Sequence, residues 1–341
     1  MRVLITGVTG RIGANVARRL AQSGHAVRGF VVPGDSQAGK LPPFGLELVE
    51  GTLASRTDVQ AAVDGQEAIL HLAAAFQAGG PFTPEQYFDL NVKGTFHILE
   101  AAQRLGAQLR HLIFASTDAT MDKYPPDGLP DPITETSLPP VATDWYGYTK
   151  VLGEHLVNRY VRAEGLRATV VRFCMVWGAG EVLDWPQFRL AYFLDRFRKR
   201  ADAAGRATHA RLAALDDGRE RLVIACDAHG RPWKKHCVEV RDLVDGLERA
   251  LGNPATFGKL YQMAGPLPFT WDEAVPLIAH ALRLPFSRVD LAGIAPTHYA
   301  FDLTAARRDF GYAPRVDIRA MVEEAVRYKT SQSDALIPTR I

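Results

Sequence analysis

Tyr146 and Lys150 stand four residues apart in Trp145-Tyr-Gly-Tyr-Thr-Lys150. On a helix that spacing puts both side chains on one face. A free tyrosine has a pKa of about 10 and is a poor base at neutral pH. Bringing it near ~7 requires roughly 4 kcal/mol of preferential stabilisation of the phenolate. A nearby ammonium supplies on the order of 1–3 pKa units of that shift. A lysine one turn after a tyrosine therefore suits proton transfer at an alcohol or sugar hydroxyl. Tyr148 lies close by, but its partner at that spacing is the uncharged Leu152. Thr117 ends the apolar run from Leu109, where its hydroxyl can orient a reacting oxygen. The simpler readings are a surface helix pair for Tyr146 and Lys150, and a turn cap for Thr117.

The chain opens with a second constellation, Arg2-Val-Leu-Ile-Thr-Gly7-Val-Thr-Gly10-Arg-Ile-Gly13. Val3 to Ile5 has the composition of a buried parallel strand. Ala14 to Ala21 reads as a helix, with Ile12, Val16, Ala17 and Leu20 on one face. A strand, a glycine turn and a helix make a dinucleotide site. Gly7 allows the tight turn, Gly10 lets the backbone approach a pyrophosphate, and Gly13 lets helix and strand pack closely. The unpaired N–H groups and positive dipole at the helix start then face the phosphates. Thr9, Arg11 and Ile12 fill the same turn and join the cofactor-binding set.

The elements that position these groups alternate. A second strand lies between Gly24 and Pro33, where Val31 and Val32 occupy the places of the usual ribose acid or phosphate arginine. Asp35, just beyond, could serve a ribose or act as a turn carboxylate. Leu46 to Glu50 is a third strand, and Ser55 caps a helix through Val63. Ala68 to Ala75 is a fourth strand running into small residues, which pack tightly or let a flat ligand lie against the backbone; His71 within it reads as a satisfied core histidine. A helix from Tyr87 to Leu105 carries Asn91. A loop spans Pro125 to Pro140, a helix Trp145 to Tyr160, and a sixth strand Arg167 to Val176. This alternation argues an α/β fold with a parallel, doubly wound sheet. Regularity then fails: Trp185 to Leu215 is a long helical stretch, Leu222 to Cys226 and Leu260 to Met263 are strands, and four shorter helices complete the chain. Residues beyond Thr330 are expected to form a mobile tail.

The 341 residues suffice for one large α/β domain, or a domain with a smaller cap. A net charge of +2 gives no bulk case for nucleic acid or acidic membranes as partners. Three dispersed cysteines show no metal-ligand spacing and fit a reduced, cytoplasmic protein without a metal site. The longest apolar run, Ala68 to Phe76, is too short to span a bilayer, and the chain enters its first strand with no signal peptide.

Taken together, these segments resemble the extended short-chain dehydrogenase/reductase family, the NAD-dependent epimerase/dehydratase group. The resemblance runs through Gly7-x-x-Gly10-x-x-Gly13, His71-Leu-Ala-Ala, Asn91-Val-Lys-Gly-Thr, Ala115-Ser-Thr-Asp, Tyr146-x-x-x-Lys150, Arg172-Phe-Cys-Met-Val-Trp-Gly, Val240-Arg-Asp-Leu-Val and Ala305-Arg-Arg-Asp-Phe-Gly-Tyr-Ala-Pro314. It implies a Rossmann-type domain over residues 1–176, to which 236–258 return, a small C-terminal α/β substrate region over 177–330, and the tail 331–341. It implies NAD or NADP as cofactor, with NAD the first expectation. Tyr146 takes the acid/base role, Lys150 also holds the nicotinamide ribose, and Thr117 orients the substrate. Thr52, Leu53, Leu72, Ala73, Ala74, Asn91 and Phe173 join the cofactor set, and Ala75, Asp118 and Lys235 the substrate set. Thr52 stands where the family often has an aspartate, and Ala119 where the 4,6-dehydratases carry a proton-abstracting glutamate, which argues against dehydration. Lys235 lies near the position where nucleotide-sugar epimerases place a basic residue on a diphosphate, but their later Arg-Pro-Gly-Asp has no clear counterpart. The implied function is a sugar or nucleotide-sugar epimerase or dehydrogenase acting as a homodimer through the helices beginning at Tyr87 and Trp145. The alternatives are an NADPH-dependent carbonyl reductase of the dihydroflavonol or aldehyde type, against which Val32 counts, and a non-catalytic NAD(P)-sensing protein.

Overall fold

The computed structural model describes residues 1–41, 45–76, 82–333 and 335–340. In chain order its first half runs β1 (Arg2–Thr6), α1 (Arg11–Gln22), β2 (Ala26–Val31), β3 (Glu47–Glu50), α2 (Arg56–Val63), β4 (Ala68–His71), α3 (Pro84–Tyr87), α4 (Gly94–Arg104), β5 (His111–Thr117), α5 (Trp145–Glu164) and β6 (Ala168–Phe173). The second half runs β7 (Met175–Trp177), α6 (Leu190–Arg198), α7 (Ala203–Ala213), β8 (Leu222–Cys226), β9 (Lys234–Lys235), β10 (Cys237–Glu239), α8 (Val240–Ala250), β11 (Leu260–Met263), β12 (Phe269–Thr270), α9 (Trp271–Leu282), β13 (Phe286–Asp290), α10 (Thr304–Phe310) and α11 (Ile318–Lys329).

Seven parallel strands form the main sheet in the order β11-β6-β5-β4-β1-β2-β3. The order reverses between β1 and β4, which is where ligands bind in open α/β sheets. Successive side chains on a strand face opposite sides, and the apolar residues follow. Val3 and Ile5 pack with α1 and α8 on one face. Leu4 packs with α2, α4 and α5 on the other. Ser55 caps α2 by accepting from the Asp58 N–H, as its position implies.

Three segments differ from expectation. The sixth strand ends at Phe173, short of Val176. After Cys174 the chain leaves the sheet and β7 pairs with β10, which turns it toward a second core built around Trp177, Trp185, Phe188, Trp233 and Trp271. The stretch 185–215 is two helices, α6 and α7, because Asp202 stops the run and caps α7 through the Gly205 N–H at 2.8 Å. Between α3 and α4, residues Phe88–Lys93 form a π-helical turn, which the 3.6-residue spacing gives no sign of.

The stretch after Thr330, for which a mobile tail is expected, is seated on α1. The buried Asn15 side chain accepts from the Ile337 N–H at 2.9 Å and donates to the Ile337 carbonyl at 3.0 Å. Lys40 donates to the carbonyls of Pro338 and Thr339, and Leu336 and Ile337 are buried. Residues 334 and 341 of this stretch lie outside the described residues. Among the described residues no helix is long and apolar enough to cross a membrane.

Candidate active site

Gly7 leaves β1 with a φ of +69°. A Cβ there would lie 2.9 Å from the Ala73 backbone at the end of β4, and one on Gly13 would lie 2.1 Å from the Gly7 carbonyl. Side chains at either position would therefore pry the turn apart. No side chain caps the start of α1 at Gly10, and its first turn contains no acid. The first helical backbone bond is Ala14 N–H to Gly10 C=O, so the N–H groups of Arg11, Ile12 and Gly13 open on the cavity that these residues line. Bare donors at the positive end of a helix fit a pyrophosphate. Thr9 donates to Asp35 at 2.7 Å, and Asp35 also accepts from the Gln37 N–H; the turn-carboxylate role of Asp35 is the one the structure displays.

The cavity encloses about 770 Å³ and runs from this turn past the carboxyl ends of β4 and β5. Three successive residues of β5 meet three successive turns of α5. The Thr117 hydroxyl caps the turn after β5 by accepting from the Ala119 N–H at 3.2 Å, and it lines the cavity with the Tyr146 phenol. The Lys150 ammonium donates to the Ala115 carbonyl at 2.8 Å. Ser116 donates to Glu154 at 2.5 Å, and Arg172, opposite Ser116 on β6, closes on Glu154 with bonds of 2.8 and 2.7 Å. This ladder sets how far Tyr146 and Lys150 project above the sheet.

The electrostatics depart from expectation. Burial raises the Tyr146 pKa well above its ordinary value of 10.0, the nearby Thr117 hydroxyl opposes this, and Asp118 and Asp144 reinforce it. Burial is the largest cause, and Lys150 is not among the largest. Burial lowers Lys150 itself to about 8, with Glu154 opposing. The phenol is thus held protonated at neutral pH.

Of the residues singled out in the sequence, Gly7, Thr9, Gly10, Arg11, Ile12 and Gly13 line the cavity at one end. Leu72, Ala73, Ala74, Lys150 and Phe173 line its floor, and Thr117, Asp118, Tyr146 and Lys235 its other end. Four residues lie outside that lining. Thr52 accepts from the Ala54 N–H in the turn after β3, and Leu53 packs beneath Gly94. The backbone of buried Ala75 is clasped by Asn91, which accepts from its N–H at 2.7 Å and donates to its carbonyl at 3.1 Å. Asn91 also donates to Thr149 at 3.0 Å, so it braces β4's exit against α5. His71 is a satisfied core residue, bonded to Thr6 and Thr95, and burial lowers its pKa to about 3.

The sequence reading missed Phe76, Met121, Tyr124 and Tyr299, which line the end of the cavity near Tyr146. They come from separated loops and share no spacing. It also missed Glu154, although its place one turn after Lys150 was a usable signal.

Over residues 3–264 the chain matches the model of the NAD dependent epimerase/dehydratase family. The 3-beta-hydroxysteroid dehydrogenase of Mycolicibacterium neoaurum is 28% identical over 98% of this chain and 93% of its own. The UDP-glucose 4-epimerase of Streptomyces lividans is 34% identical, over 52% of this chain and 53% of its own. The structure of a short-chain dehydrogenase/reductase superfamily protein from Agrobacterium tumefaciens with bound NAD superimposes with a TM-score of 0.82. It is 29% identical and covers 97% of this chain and 98% of that one.

Proposed function

The chain belongs to the NAD-dependent epimerase/dehydratase family, within the extended short-chain dehydrogenase/reductases, and from that premise we propose that it is a dehydrogenase or reductase that interconverts a secondary alcohol and its ketone on a small sugar-like substrate. The observation carrying this reading is the Thr117–Tyr146 pair, set in one cavity with the bare start of α1. The similarity to a dehydrogenase along almost the whole chain, against half-length similarity to an epimerase, favours net oxidoreduction over epimerisation.

The glycine turn with Thr9, Arg11 and Ile12 would hold the dinucleotide's phosphates, and Lys150 its nicotinamide ribose. When bound, that cofactor supplies or accepts the hydride. Thr117 orients the substrate oxygen. Tyr146, kept protonated by burial, gives its proton to a carbonyl oxygen as it becomes a hydroxyl, and recovers one in the reverse direction. Asn91 holds the β4 exit rigid beside them. The Asp35 carboxylate after β2 favours NAD, since it would repel a 2′-phosphate.

Mass spectrometry of the released cofactor, then a screen of free sugars, sugar acids and nucleotide sugars at the reduced nicotinamide band, tests this. Tyr146→Phe should abolish turnover while leaving cofactor affinity nearly intact. Full turnover by that variant would overturn the assignment. A cofactor that never exchanges would favour epimerisation instead.

The assembly proposed is a homodimer. Phe88, Phe96, Trp145 and Tyr148 are exposed on the π-helical turn, α4 and α5, an apolar surface suited to pairing across a two-fold axis.

A further inference from the structure

Four cations line the cavity among the described residues: Arg11, Lys123, Lys150 and Lys235. Three are committed. Arg11 pairs with Glu181 at 2.5 Å. Lys123 lies 3.4 Å from the Asp118 carboxylate and donates to its carbonyl. Lys150 donates to Ala115. Lys235 is 5% exposed and forms no hydrogen bond or ion pair with the described residues. Its contact is the Trp185 ring, 4.5 Å from the ammonium. A cation–π contact returns about 0.5–2 kcal/mol but neutralises no charge. The neighbouring thiols of Cys174 and Cys237 are pushed up by burial and stay neutral, so they supply no counter-charge. Beside it, the Tyr299 N–H donates to the Lys234 carbonyl, which places Tyr299 next to β9. The buried Tyr299 hydroxyl lacks a well-directed hydrogen-bond partner.

We propose that Lys235 and the Tyr299 hydroxyl, which line the same cavity, form a subsite for a single carboxylate, so that the substrate is a hydroxy acid or its oxo counterpart. This rests on the oxidoreductase reading above. The lining carries three acids, Asp118, Asp122 and Asp144, against its four cations. Asp118 lies against Lys123, and Asp122 and Asp144 accept from the Tyr124 and Gly147 N–H groups. None of the three pairs with Lys235, whose single charge one carboxylate neutralises and a diphosphate would exceed.

The test uses the NAD-loaded full chain with four probes: D-glucuronate and 3-hydroxybutyrate as acids, D-glucose as the neutral counterpart, and UDP-glucose as the diphosphate. Melting temperature and reduced-nicotinamide absorbance are read for the wild type and for Lys235→Met, which keeps the apolar stem. An acid should bind at least tenfold more tightly than D-glucose and UDP-glucose. Lys235→Met should lose at least tenfold of that affinity and hold NAD within twofold of the wild type. Preference for D-glucose or UDP-glucose, binding of neither acid, or equal acid binding by the variant overturns the subsite. Failure of the wild type to bind NAD overturns the oxidoreductase reading instead, and the subsite is then decided by acid binding alone.

Discussion

Arg172 closes on Glu154 with two hydrogen bonds of 2.8 and 2.7 Å, one helical turn beyond Lys150. Both side chains are buried, and removing one partner of such a pair strands the other charge. Glu154→Ala should therefore cost about 3–5 kcal/mol of stability. The double change Glu154→Leu with Arg172→Met, which removes both charges, should recover most of that. Guanidinium unfolding of the three variants decides it. An additive loss would mean that the pair is not a closed unit.

Lys150 is held to about 8 by burial, so its ammonium is intact at neutral pH and is lost above about 8. A charged donor is worth about 1 kcal/mol more than a neutral one. NAD affinity should therefore fall about fivefold between pH 7 and pH 9.5, by titration of cofactor binding. Lys150→Ala should bind weakly and show no such pH step.

His111 should make the protein acid-sensitive. Its Nδ1 accepts from the Gly252 N–H at 3.0 Å. Its Nε2 faces the Thr169 hydroxyl, which donates onward to the Thr256 carbonyl. The ring is thus fixed neutral, and burial lowers its pKa to about 3 from 6.5. Between those values the unfolded chain binds a proton that the folded chain does not. Stability from this group is whole above 6.5 and falls as pH drops toward 3, by about 1.4 kcal/mol per unit. Urea unfolding at pH 7, 5 and 4 should show His111→Gln losing stability with a slope smaller by one proton than the wild type.

Phe96→Glu combined with Trp145→Glu should convert the proposed dimer to monomer at micromolar concentration. Both side chains are exposed in the single chain, so folding should be little affected. Sedimentation velocity distinguishes the outcomes, and a wild-type monomer would remove the dimer.

Much of the sheet was legible in the sequence, because parallel strands are short apolar runs and β1, β5 and β11 stand out as such. The glycine turn was legible for a steric reason: Gly7 and Gly13 sit where a Cβ would strike backbone. That Tyr146, Lys150 and Thr117 share one cavity was legible from helical spacing and a strand end. The direction of the Tyr146 shift was not, because it is set by burial of the phenol, and residue spacing does not report how deeply a side chain is buried. The break after Phe173 was hidden as well: Cys174 to Val176 is as apolar as the strand before it, and only pairing with β10 draws it away. The loops carrying Phe76, Tyr124 and Tyr299 converge by tertiary packing alone.

The grip of Ile337 on Asn15 joins positions 322 residues apart. During synthesis α1 emerges well before Ile337, so the Asn15 amide oxygen lacks its partner until 322 further positions have been made. α8, the neighbour of α1, and β11, the partner of β6, also arrive late. A fragment ending at residue 176 would expose the flank of α1 and a bare sheet edge. Such a half should gather into an aggregation-prone intermediate rather than a free-standing nucleotide-binding unit.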